Sequence, residues 1–242
     1  MDTHSFVRYE RDGNGMFPLD LTDKIFSPMG MFRACRGKIA GDLKSEYWEQ
    51  LAHDVGNQYR IGGCSHVILM YESGEIRGGA IIRKGKRLHQ GRVVYGDTRA
   101  WYLELICALH SGSTLLAEYE KYASEENIIL STLCALPPVL TFYTNKGYVF
   151  GFDGMSVNPK LDIQAKEIVK QKLFFDTTDE MFGHRNPMQS LLKQATSAGL
   201  ASSDRAKTVR NAVYNGVYLS KLIPKLNRPV KRFKRLKRRR LQ

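Results

Sequence analysis

Four small residues in a row, Ser111, Gly112, Ser113 and Thr114, separate an apolar run from an amphipathic one. Small side chains at such a junction let backbone N–H groups face outward at a helix N-terminus, where unsatisfied amides and the positive end of the helix dipole suit a phosphate. A second constellation lies near the end of the chain. Lys231, Arg232, Lys234, Arg235, Lys237, Arg238, Arg239 and Arg240 put eight cations into ten residues, which suits phosphate neutralisation along a nucleic acid, a nuclear-import signal or an acidic protein surface. Phe233 and Leu236 interrupt the run at a helical interval, so an amphipathic helix on an anionic surface is also open to it. The cysteines Cys35, Cys64, Cys107 and Cys134 are isolated and read as reduced, mostly buried thiols. With the histidines equally scattered, no metal centre is expected. Cys107 and His110 could be imagined as nucleophile and base, but a cysteine inside an apolar strand is usually core.

The charge is unevenly placed. Residues 205–242 hold 14 Lys and Arg and no acid, so of the formal +13 the first 204 residues carry only −1, the difference between the two. A chain of 242 residues holds one domain of about 150 residues plus additions, or two small ones. No apolar run approaches the roughly 20 residues that cross a bilayer, and Met1-Asp2-Thr3-His4 lacks the basic and apolar opening of a secretory signal.

The elements around the small-residue turn follow from periodicity. Residues 102–108 read as a buried strand. Leu115, Leu116, Tyr119, Tyr122 and Ala123 then recur on one face of a helix, and Ile128, Ile129 and Leu130 begin another buried strand, giving strand, helix, strand. Pro137 and Pro138 suit the start of a short helix and Gly147 its end, and Tyr148-Val149-Phe150 resumes an extended run. Upstream, residues 65–72 and 78–83 form two strands around the hairpin signal Ser73-Gly74-Glu75. Residues 43–55 pattern as a short helix with Tyr47, Trp48, Leu51 and Val55 on its stripe.

Downstream, residues 158–199 offer two helices, one striped by Ile163, Ile168, Leu173 and Phe174, the other by Met188, Leu191 and Leu192. Residues 204–222 pattern as a further helix through Val209, Ala212, Val213, Val217 and Leu219, with Pro224 and Pro229 beyond it. The basic cluster Arg83-Lys84-Gly85-Lys86-Arg87 follows a hairpin; it suits a solvated loop first, and the 3′-phosphate of a nucleotide cofactor or a nucleic acid second. The first 42 residues, with Met16, Phe17, Phe26, Met29, Met31 and Phe32, present no evident opening strand and could form a docking surface.

Phe142-Tyr143-Thr144-Asn145-Lys146-Gly147-Tyr148, placed after the strand–turn–helix–strand unit, resembles the segment that closes the acetyl-CoA site in the GNAT superfamily of N-acetyltransferases. The resemblance spans residues 65–153 and is nearest to divergent members such as those of large DNA viruses. Counting back from Leu115-Leu116 puts the last glycine of the family's pyrophosphate loop on Gly112. Its earlier glycine falls on His110 and its Arg or Gln on Cys107. The resemblance implies an α/β fold, a GNAT-like mixed central sheet flanked by helices, with a helical C-terminal extension and a basic tail. Its parts would be residues 1–64 (N-terminal segment and helix), 65–153 (core), 154–222 (helical extension) and 223–242 (basic tail).

It also implies roles. Main-chain groups of Ile106, Cys107 and Ala108 would hold the pantetheine arm of acetyl-CoA, and Ser111, Gly112, Ser113 and Thr114 its pyrophosphate. Glu104 would be the general base, because an amine of pKa about 10.4 must lose a proton before it attacks a thioester. Tyr143 would be the general acid for the departing thiolate. The bland alternatives are a Glu104 on a polar face and a Tyr143 that packs its helix onto the sheet. Asn145 reads as a turn residue.

The function expected is an acetyl-CoA-dependent N-acetyltransferase for an amine acceptor, recruited by its tail to nucleic acid or an acidic partner. The alternative is a non-catalytic GNAT-like protein with a structural or nucleic-acid-associated role, in a virion for example. Either places the chain in the cytoplasm, the nucleus or a virion.

Overall fold

The computed structural model describes residues 4–31, 33, 55, 64–87, 93 and 94, 99–135, 139–156, 158–170, 187–202 and 216–225. A meander opens the sheet. Strand β1 (Ser5–Glu10) pairs antiparallel with β2 (His66–Glu72), and β2 pairs antiparallel with β3 (Glu75–Lys84). Ser73 (φ 52°) and Gly74 (φ 80°) join β2 to β3, two consecutive positive φ angles of the kind that match the strand twist in a two-residue hairpin. Helix α1 (Leu21–Phe26) lies between β1 and β2 in sequence. A small hairpin, β4 (Lys86–Arg87) with β5 (Val93–Val94), follows β3.

The centre of the sheet is the unit that carries the small-residue turn. Strand β6 (Ala100–Ala108) pairs antiparallel with β3, helix α2 (Gly112–Glu125) crosses over, and β7 (Leu130–Ala135) returns parallel to β6. Helix α3 (Leu140–Asn145), strand β8 (Val149–Phe150), helices α4 (Pro159–Lys170) and α5 (Pro187–Ser197), and strands β9 (Ala201–Ser202) and β10 (Gly216–Leu222) complete the chain. The strand order is β1-β2-β3-β6-β7-β10-β8, with β9 also on β10. This is a mixed sheet flanked by helices, the architecture that was expected.

Both faces of the sheet are covered, which is why β2, β3 and β6 read as continuous apolar runs and not as alternating ones. On one face Ile68, Met70, Ala80, Ile82, Trp101 and Leu103 meet the stripe Leu115, Leu116, Tyr119, Tyr122 and Ala123 of α2, with Leu161, Ala165, Leu191 and Ala195 from α4 and α5. On the other, Val67, Leu69, Ile81, Leu105 and Cys107 meet Phe17, Leu21, Ile25, Met31 and Val55. Helices α2, α3 and α5 end alike. Asn127, Gly147 and Gly199 take positive φ, and the next residue donates back to the carbonyl five positions earlier, as in Ile128 N–H to Ala123 O at 2.9 Å and Tyr148 N–H to Tyr143 O at 3.1 Å.

Four expectations change. The first 42 residues do hold an opening strand: β1 was hidden by Arg8, a charge that α2 satisfies through Glu118 at 2.6 and 2.9 Å and through Glu125. Residues 216–222 are a strand between β7 and β8 and not the end of a helix. The β-branched and aromatic run Val217, Tyr218, Leu219 fits a pleated edge-to-edge site, so tertiary pairing overrides the helical spacing; residues 204–215 lie outside the described residues. Ile163 is exposed on α4, whose buried stripe is Leu161, Ala165 and Ile168. Cys64 and Cys134 are thiols, but Cys107 is disulfide-bonded. The stripe of residues 43–55, apart from Val55, also lies outside them, as do Leu173, Phe174, Pro137, Pro138 and the eight tail cations.

Candidate active site

The parallel ladder between β6 and β7 spans Ala100–Leu130 to Leu103–Leu133 and stops there. Strand β6 runs on through Glu104, Leu105, Ile106, Cys107 and Ala108, while β7 runs on through Cys134 and Ala135 against Tyr218 and Val217 of β10. The two central strands thus part company over the second half of β6. That half leads through Leu109 and the exposed His110 into the N-terminus of α2. Ile106, Cys107 and Ala108 all belong to it.

A bulge sits where the ladder ends. Leu103 pairs with Ile82 and Leu105 with Ile81, so Glu104 is the additional residue on β6. One extra residue flips the alternation of a strand. Trp101 and Leu103 before the bulge face α2, and Leu105 and Cys107 after it face the opposite core. Glu104 accepts a hydrogen bond from Arg83 Nε at 3.1 Å, with the two side chains 10% and 12% exposed. A carboxylate this deep needs a partner, because an unpaired buried charge is costly. Sequence reasoning saw an unexplained acid in an apolar strand; it could not see that Arg83, 21 positions earlier, lies beside it.

The turn itself is built as a helix start. Ser111 is the N-cap, and its carbonyl accepts from the amides of Thr114 and Leu115, both at 3.0 Å. The amides of Gly112 and Ser113 precede any intrahelical acceptor, as the first donors of a helix must. The first turn carries no acid. A Cβ built on Gly112 would meet only the Phe142 ring, at 3.8 Å, so the backbone can be approached closely there. These are features that fit a pyrophosphate. The Ser111 side chain does not cap the helix but shares a 2.7 Å hydrogen bond with His4 Nε2, which also lies 3.7 Å from Glu72. His4 is a neighbour of the turn that sequence reasoning missed, and nothing local to residue 4 could have signalled it.

Helix α3 closes the same end. Phe142 reaches the α2 N-terminus, and Tyr143 packs edge-on against Phe142 at 5.1 Å and Tyr148 at 5.6 Å. Tyr143 is buried, and burial pushes its phenol well above the ordinary value of 10, so it keeps its proton. The structure therefore brings together residues 111–114 and α3 at the end of β6 where Ala108 lies, with Glu104 at the bulge in the middle of that strand. It does not bring the cluster Arg83-Lys84-Gly85-Lys86-Arg87 to the turn. Lys84 pairs with Trp101, at the opposite end of β6 from Ala108, about 25 Å away at about 3.3 Å per residue. The cluster therefore lies at the other end of β6 from residues 111–114.

No family model matches the sequence, and no curated protein is significantly similar to it. Among solved structures, Tetrahymena GCN5 aligns with a TM-score of 0.45 and 10% identity, covering 91% of this chain and 96% of its own. A putative N-acetyltransferase from Lactobacillus plantarum aligns at 0.43 and 7%, covering 92% and 100%. N-acetylglutamate synthase from Neisseria gonorrhoeae, in complex with coenzyme A and N-acetyl-glutamate, aligns at 0.41 and 10%, covering 93% of this chain and 36% of its own. At such scores the likenesses assign neither a family nor an activity to this chain.

Proposed function

We propose that this chain is an acetyl-CoA-dependent N-acetyltransferase of the GNAT type that acts on an amine and is recruited by its basic tail. The observation that carries this reading is the end of the β6–β7 ladder at Leu103, with the remaining half of β6 leading directly into an acid-free helix N-terminus. Acetyl-CoA would supply an activated thioester. The main chain of Ile106, Cys107 and Ala108 would align its pantetheine arm, and the amides at residues 111–114 would hold its pyrophosphate.

Tyr143 in this reading holds a proton at its hydroxyl for the departing sulfur, and α3 seals the site from water. Glu104 receives the proton of the acceptor amine, directly or through one water, and Arg83 fixes its carboxylate. An acceptor with a cationic ammonium would be drawn toward a carboxylate on the face of β6 that carries Leu105 and Cys107.

A second reading has its own support. The engagement of Glu104 by Arg83 and of Ser111 by His4 suits a GNAT-like domain that has lost catalysis and keeps a structural or nucleic-acid-associated role. Calorimetric titration with CoA separates the two. Saturable one-to-one binding, weakened when residues 111–114 are altered, supports the enzyme; no heat at millimolar CoA with the protein folded removes it in favour of the second reading.

A further inference from the structure

Ser111 opens α2, yet its side chain makes no bond to the first-turn amides of that helix. Its Oγ lies instead 2.7 Å from Nε2 of His4, 107 positions earlier in the chain. The ladder of β1 with β2 brings the two together. Ser5 pairs with Tyr71 in that register, so His4, one step beyond, falls opposite Glu72, and its Nε2 lies 3.7 Å from Glu72 Oε1. Glu72 is engaged through its other oxygen as well, 3.4 Å from Arg77 Nε, and Arg77 also reaches Glu75 at 3.2 Å. Arg77 belongs to the same end of the fold, because its carbonyl accepts from Leu109 N–H at 2.9 Å, two residues before Ser111.

These neighbours fix the roles in the contact between His4 and Ser111. An imidazole nitrogen either carries a proton and donates, or presents a lone pair and accepts. The Glu72 carboxylate attracts a proton on Nε2 and repels a lone pair there, so Nε2 carries the proton and donates it to Ser111 Oγ. A hydroxyl that accepts a hydrogen bond still has its own proton to give. The first turn of α2 cannot take that proton, since the groups it leaves unbonded are N–H donors. Among the described residues Ser111 Oγ has no partner other than His4. The contact therefore does not use up Ser111; it occupies the accepting side of the hydroxyl and leaves the donating side to a ligand at the helix start. The two acids of this corner, Glu72 and Glu75, share the Arg77 guanidinium.

We propose that His4 is a positioning residue of the pyrophosphate subsite: backed by Glu72, it keeps the Ser111 hydroxyl in the donor role and so adds a side-chain donor to the amides at the start of α2. The inference rests on the reading of this chain as an acetyl-CoA enzyme. It gives the opening strand a part in cofactor binding from outside residues 65–153, to which the sequence resemblance is confined. His4 acts through Ser111 and touches no reacting atom.

The test is calorimetric titration of the full-length chain with CoA. His4→Phe keeps a ring and removes the N–H, His4→Gln keeps an N–H donor without the ring, and Ser111→Ala removes the hydroxyl. His4→Phe and Ser111→Ala are each expected to weaken CoA binding about 10-fold, as the loss of one hydrogen bond to a charged group does, while His4→Gln stays within about threefold of the unaltered chain. Because both residues act through one hydroxyl, His4→Phe combined with Ser111→Ala should bind no more weakly than Ser111→Ala alone. A residue that only packs β1 gives the reverse order, with Phe tolerated and Gln not. Circular dichroism and melting temperature establish that each variant is folded; with His4→Phe unfolded, Ser111→Ala decides, and undiminished affinity in it overturns the proposal. If CoA binds the unaltered chain and folded His4→Phe alike, the role of His4 is overturned and the enzyme reading stands. If the unaltered chain does not bind CoA, the enzyme reading falls. Titration with inorganic pyrophosphate then decides for His4 separately, whose role survives only if His4→Phe and Ser111→Ala each weaken that binding.

Discussion

Replacing Tyr143 with Phe keeps a buried ring against Phe142 and Tyr148 and removes only the hydroxyl. If that hydroxyl protonates the leaving sulfur, turnover falls about 10²-fold with little change in CoA affinity, measured by steady-state kinetics beside calorimetry. Glu104→Gln is less clean, because it also removes the charge facing the Arg83 guanidinium. Some loss of stability is expected with the loss of rate, so the pH profile of the folded fraction is the readout. An unaltered rate in either variant takes that residue out of the mechanism. His66 offers a third test, away from the site. It is fully buried between Trp101 and Tyr122, with ring centroids at 4.6 and 5.6 Å; Nδ1 shares a 2.9 Å hydrogen bond with Ser65 Oγ, and Nε2 has no hydrogen-bond partner among the described residues, its nearest carboxylate being Glu10 at 3.6 Å. Burial, with Lys84 nearby, pulls its pKa from 6.5 down to about 3. Between those values the unfolded chain binds a proton that the folded chain refuses, so stability is intact above pH 6.5 and drains away as pH falls toward 3. His66→Phe should be nearly neutral at pH 7 and should flatten that acid limb in urea melts at pH 7 and pH 4.

At the scale of elements, the N-terminus of α2 can be separated into its folding and binding parts. Gly112→Asp puts an anion where the helix dipole favours one, with room for the new Cβ beside Phe142. Thermal stability should hold or rise slightly. A pyrophosphate bound to the same amides would meet a like charge, so CoA affinity should fall at least 10-fold by calorimetry; undiminished affinity places the cofactor elsewhere. The bulge at Glu104 is the other decisive element. By inserting one residue opposite the Ile81–Ile82 step, it turns the second half of β6 over and sends Cys107 to the core opposite α2.

Over the whole molecule, the net positive charge is concentrated in the C-terminal region of the sequence. Deleting residues 228–242 removes nine of the 14 cations of the C-terminal region and leaves β10 and its anchor at Pro224 in place. Folding should survive in a thermal melt. Nucleic-acid affinity should collapse and its salt dependence flatten, since each neutralised phosphate contributes about 0.9 to the slope. Equal binding by the truncated and intact chains would make the tail an import signal or a protein-docking arm.

What the sequence determined by itself is whatever has a period. The hairpin at Ser73-Gly74, the apolar strands flanking it, the stripe of α2 and the end of α3 at Gly147 all follow from local chemistry and stand where expected. Tertiary structure decided what depends on partners far away along the chain. Arg8 hid β1 until α2 supplied its carboxylates, and residues 216–222 became a strand because β7 and β8 offered ladders on both sides. Glu104 looked like a lone charge until Arg83 lay beside it, and His4 entered the site only through the pairing of β1 with β2. Periodicity is written in neighbouring residues, whereas the partner of a buried charge or an edge strand is chosen by the packed fold, which no local window of sequence contains.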